Sequence, residues 1–134
     1  MRAIQVEVPG GPEAIRLVDV PTPAPGPGQA LVRLAASGVN FVDVYFRTGL
    51  YKADVPVRLG SEGAGTVEAI GPGVTEVAVG DRVAWAMIRG SYAEHAVVPA
   101  AMLVPVPDAI DFVTAAGILL QGMTAHYLTQ STFP

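Results

Sequence analysis

In Gly63-Ala64-Gly65-Thr66-Val67-Glu68-Ala69-Ile70-Gly71-Pro72-Gly73 two readings compete. The first two glycines have the spacing that opens a dinucleotide-binding fingerprint. That motif needs a third glycine three residues further on and a helix N-terminus to receive the phosphates. Glu68 stands where the third glycine belongs, and residues 66–70 are strand-like rather than helical. The stretch therefore reads as a β-strand that ends in a Gly-Pro-Gly turn.

The same rhythm of short strand and turn extends on both sides. Toward the C-terminus, Gly80-Asp81 is a further turn, and residues 83–87, 92–98 and 103–106 read as short strands. Toward the N-terminus, residues 2–8 and 15–20 alternate about the turn Gly10-Gly11-Pro12. Residues 21–28 form a Pro/Gly connector in which no helix can form, and residues 30–36 are a strand. Two segments depart from the pattern. In residues 40–49, Phe41 and Tyr45, and Val42 and Phe46, lie four apart, which predicts a short helix capped by Asn40 and stopped by Gly49. Asp43 and Arg47 have the order of a helix-surface ion pair. Asp111 caps an apolar run to about Gln130, where Gly117 and Gly122 predict two helices joined at a bend. Residues 51–59 read as a loop broken by Pro56. The sum is a mainly β chain, a small partly open β-barrel with peripheral short helices and a C-terminal helix.

Composition narrows the function. A hydrophobic fraction of 51% with 15% charged residues excludes disorder. The eight basic residues are scattered singly in a chain of net charge −4, which argues against a nucleic-acid surface. No apolar run is long enough to span a membrane, and the N-terminus is unlike a signal peptide, so a cytoplasmic location is expected. With no cysteine there is no disulfide, thiol nucleophile or thiolate metal site. His95 and His126 lack ligand spacing and read as surface or partly buried residues. Leu59-Gly60-Ser61-Glu62-Gly63 fails as a nucleophile elbow because Leu59 fills the first glycine position.

Residues 38–51, Gly-Val-Asn-Phe-Val-Asp-Val-Tyr-Phe-Arg-Thr-Gly-Leu-Tyr, closely resemble the zeta-crystallin-type quinone oxidoreductases of the medium-chain dehydrogenase/reductase superfamily. Further matches follow in the family's order at residues 10–13, 60–65, 71–74, 79–83, 90–94 and 121–125, so that the resemblance covers all 134 residues. It implies that the chain is a GroES-like domain, residues 1–134, and that the Rossmann domain which holds most of the NADPH is missing from it. A truncated chain, inactive alone, is the expectation, with an exposed apolar side along residues 113–128.

The resemblance also assigns roles. It implies NADPH-dependent hydride transfer to a quinone, with Tyr45 and Tyr51 on the substrate and Asn40, Gln121 and Thr124 beside the cofactor. A tyrosine can stack on a flat quinone and hydrogen-bond its oxygen. No metal is expected, because Asn40 and Ser61 occupy the positions where zinc alcohol dehydrogenases carry Cys and His. Glu62, between glycines, reads as a local hydrogen-bonding carboxylate. The full-length form is expected to be a homodimer acting on a quinone or other small electrophilic acceptor. Two alternatives stand beside this: an enoyl-thioester or alkenal reductase of the same superfamily, and a stand-alone GroES-like binding module.

Overall fold

A computed structural model describes residues 1–132. β-Branched and aliphatic alternation builds eight strands: β1 (Arg2–Val6), β2 (Arg16–Asp19), β3 (Gln29–Ser37), β4 (Val57–Arg58), β5 (Glu62–Ile70), β6 (Arg82–Ala86), β7 (His95–Pro99) and β8 (Val104–Pro105). They form a sheet of order β2-β1-β4 and a second of order β7-β3-β5-β6-β8. All of these pairings are antiparallel, so the described residues contain no Rossmann unit. The sheets do not close into one cylinder. They are stitched where Ala3 bridges Ala93 and where the Ile4 amide donates to the Tyr92 carbonyl at 2.8 Å.

Within the stretch 63–73, residues 63–70 belong to β5, the middle strand of the larger sheet, and the strand expected there is present. β5 pairs with β3 on one side and β6 on the other. Its glycines serve close packing, since a Cβ at Gly65 would overlap the Arg33 carbonyl on β3. The principal core lies on one face of this sheet, where Val32, Val67, Val83, Trp85 and Val98 are fully or almost fully buried. The buried Trp85 ring satisfies its N–H on the Ile88 carbonyl at 3.2 Å. A second cluster, Val6, Val57 and Leu59 with Phe46 and Tyr92 against it, packs the smaller sheet against α1.

The two helices differ from expectation in instructive ways. α1 (Val42–Thr48) stops at Gly49, whose φ of 81° only glycine adopts freely. Its N-cap, however, is Phe41, without a side-chain cap. The Asn40 side chain is turned away to buried partners, which win over a single orphan amide. α2 (Phe112–His126) begins on Asp111, whose side chain accepts from the Thr114 amide at 2.7 Å. It runs unbroken through Gly117 and Gly122 into a π-helical turn, Tyr127–Thr132, so the expected bend is absent. Packing of Ala115 and Ala116 onto Ala64, Ala84 and Val106 outweighs the roughly 1 kcal/mol that each glycine costs a helix. The segment read as a loop before Leu59 contains the two-residue strand β4. No helix among the described residues is long and apolar enough to cross a membrane.

Candidate functional site

The polar residues of this domain converge where the start of α1, the start of β5 and the middle of α2 meet. Glu62 is fully buried at the first position of β5. Its Oε2 accepts from the Asn40 carboxamide at 2.9 Å, and its Oε1 accepts from the Leu120 amide in mid-α2 at 2.8 Å. Gln121 Nε2 in turn donates to Asn40 Oδ1 at 3.0 Å. A carboxylate only accepts, so it dictates the direction of the series: Asn40 must offer its NH2 to Glu62 and its oxygen to Gln121. The sequence-derived candidates Asn40 and Gln121 are thus in direct contact, and Glu62 is the hydrogen-bonding carboxylate expected of it. The series leaves one Asn40 N–H and the Gln121 Oε1 without a hydrogen-bond partner among the described residues.

A second buried group lies beside the first. Ser61 Oγ donates to Asp43 Oδ1 at 2.7 Å, and the Tyr92 hydroxyl donates to Asp43 Oδ2 at 3.0 Å. Asp43 is buried, not paired on the surface with Arg47, which corrects the expectation from their spacing. Asp43 precedes Phe46 by three residues and lies on the same side of the helix, which hints at an inward face but not at its partners. Burial, then the Asp43 charge and hydrogen bond, hold the Tyr92 hydroxyl well above the ordinary tyrosine pKa. Asn40 and Ser61 are both committed to these partners, and among the described residues no group of three or more His, Asp or Glu could hold a metal ion.

Tyr45 is half-buried on α1 and Tyr51 stands exposed beyond its end. Their ring centroids are 5.1 Å apart, and Phe41 and Phe46 extend the aromatic row at 5.4 Å from Tyr45 and 5.6 Å from Tyr51. The Tyr51 amide donates to the Tyr45 carbonyl at 3.1 Å, which fixes the two together. Thr124 is exposed on α2 and gives its hydroxyl proton to the Leu120 carbonyl at 2.8 Å, so that it faces outward only as an acceptor. His95 contacts Glu68 at 3.0 Å and His126 lies exposed on α2, away from these groups. The exposed Val113, Ile118, Met123, Tyr127 and Leu128 give residues 113–128 the open apolar side that the sequence implies.

The description "alcohol dehydrogenase GroES-like domain" matches residues 26–108. The chain is 47% identical to a quinone oxidoreductase of Pseudomonas aeruginosa over 98% of its length and 41% of that protein's. It is 42% identical to a 2-haloacrylate reductase of a Burkholderia species, covering 92% of this chain and 39% of the relative. A mycobacterial structure complexed with NADPH superposes with a TM-score of 0.96 at 49% identity, covering all of this chain and 42% of that one. The chain thus spans about two-fifths of the length of the proteins it matches. An antiparallel framework of two sheets and a family match across most of the strands together show that this chain belongs to the alcohol dehydrogenase GroES-like domain family.

Proposed function

We propose that this chain is the acceptor-side domain of a zinc-free, NADPH-dependent quinone reductase whose remaining length carries a Rossmann domain. The observation that carries the reading is 47% identity to a quinone oxidoreductase over nearly the whole chain. NADPH, when bound, supplies the hydride. The chain's own residues bind and orient. Asn40 offers one N–H, Gln121 its Oε1 and Thr124 its hydroxyl lone pairs, a set suited to the carboxamide and ribose of a nicotinamide nucleotide. Tyr45 and Tyr51 offer ring faces and hydroxyls to a flat acceptor. The same reading makes the full-length protein a cytoplasmic homodimer, and this chain inactive without the nucleotide-binding portion.

The likeness to a 2-haloacrylate reductase supports a second reading, reduction of an activated alkene such as an enoyl thioester or alkenal. The two are separated by following NADPH oxidation by the full-length protein with a naphthoquinone and with an enoyl thioester. Faster quinone turnover is expected, with Tyr51→Phe costing less than about tenfold, the size of one neutral hydrogen bond. Turnover of the thioester alone, with a loss near a thousandfold in Tyr51→Phe, would instead mark the tyrosine as the proton donor of an alkene reductase.

A further inference from the structure

Of the eight basic residues, scattered along the sequence, three come together in the fold. Four are engaged: Arg2 with Glu94, Arg33 with Glu68, Arg82 with Asp108 and two carbonyls, and Arg16 with the carbonyls of Glu13 and Ile15. The other four, Arg47, Lys52, Arg58 and Arg89, have neither ion-pair nor side-chain hydrogen-bond partner among the described residues. Three of them line two adjoining clefts that share Asp54 and Arg89. The larger, about 550 Å³, has Phe46, Tyr51 and Val57 on its walls with Lys52 and Arg89. Against these three cations stands one carboxylate, Asp54, in a protein whose net charge is −4.

Arg89 is held for use. Its guanidinium carbon lies 4.7 Å from the centre of the Phe46 ring, a cation–π contact, and its N–H groups have no hydrogen-bond partner among the described residues. The loop that carries it is pinned to the turn before β5, with Met87 N–H on the Ser61 carbonyl at 2.7 Å and Gly90 N–H on the Gly60 carbonyl at 2.8 Å. Met87 itself sits at φ 67°, a left-handed backbone that a side-chain-bearing residue keeps only where its surroundings impose it. A forked donor fixed beside aromatic walls matches the bidentate geometry of a carboxylate attached to a ring.

The geometry points to a binding site for a planar aromatic carboxylate in the cleft between Phe46, Tyr51, Lys52 and Arg89. The ring lies among Phe46, Tyr51 and Val57, and the carboxylate meets the Arg89 fork, with Lys52 adding charge. The inference stands on the cleft and does not require the reductase reading.

The test is titration of the isotopically labelled chain by NMR with naphthalene-2-carboxylate, naphthalene-2-carboxamide and inorganic phosphate. The carboxylate is expected to bind at least about tenfold more tightly than either, the margin of a charge-assisted pair over a neutral one. The shifted amides should fall within residues 46–58 and 88–90. Arg89→Ala should remove the preference over the carboxamide, Lys52→Ala should weaken it, and Arg16→Ala, a cation elsewhere on the surface, should leave it intact. Equal binding of the carboxamide, phosphate binding as tight as the carboxylate, shifts centred elsewhere, or an unchanged preference in Arg89→Ala would each overturn the proposal.

Discussion

At the scale of single residues, the determining group is a carboxylate with no cation beside it. Both oxygens of Glu62 accept, one from Asn40 and one from Leu120. Glu62→Gln therefore puts an NH2 against a donor. Either the Leu120 amide loses its acceptor or the carboxamides of Asn40 and Gln121 turn over. A loss of about 1–3 kcal/mol in urea unfolding is expected, with altered side-chain amide resonances of both residues. Tyr92 makes a second prediction, in alkali. In the unfolded chain the phenol ionises near about pH 10, while the folded protein keeps it protonated beside Asp43. The folded state then binds more protons, so its stability is fully present below that pH and falls as pH rises toward the folded pKa. Tyr92→Phe should flatten this part of the profile of thermal midpoint against pH. At this scale the sequence was half legible. Asn40 and Gln121 were reached through the family resemblance and Glu62 through its place between glycines, and the three form one hydrogen-bonded series. Asp43 was misread because an acid four residues before Arg47 looks like a surface pair, and nothing local reveals that Ser61 and Tyr92 wait on the other side.

The elements show where local signals suffice. β5 was legible because Glu68 in place of a third glycine removes the nucleotide-binding reading and leaves the strand, whereas β4 was not, since two residues beside Pro56 gain strand geometry only by pairing with β1. α2 was legible at its Asp111 start but not in its continuity. A glycine weakens a helix by a known amount, yet how much packing offsets it is a tertiary quantity. Two glycine substitutions separate these cases. Gly65→Ala drives a methyl group into the Arg33 carbonyl and should cost more than about 3 kcal/mol, at the upper end for overpacking. Gly117→Ala meets nothing within 4 Å on an exposed turn of α2 and should stabilise by about 0.5–1 kcal/mol. Denaturant midpoints of the two variants, measured side by side, check both.

Across the whole molecule, the mainly β character was readable from strand and turn spacing, whereas the division of the strands into two sheets was not. The convergence of Lys52, Arg58 and Arg89 on two adjoining clefts was not readable either, because residues 52 to 89 meet there only after folding. The open side of α2 has a consequence in solution. Val113 and Ile118, 74% and 58% exposed, belong to an apolar face that this chain leaves uncovered. Sedimentation should show association that grows with concentration, and Val113→Lys with Ile118→Lys should abolish it while leaving the thermal midpoint within a few degrees. That face also has a wire behind it. The Leu120 amide, two residues along from Ile118, is tied through Glu62 to the carboxamide of Asn40. Two hydrogen bonds therefore lead from the backbone of the exposed helix to the buried Asn40 carboxamide, so that a shift of α2 against the sheet would be felt at Asn40 before anywhere else in the polar series.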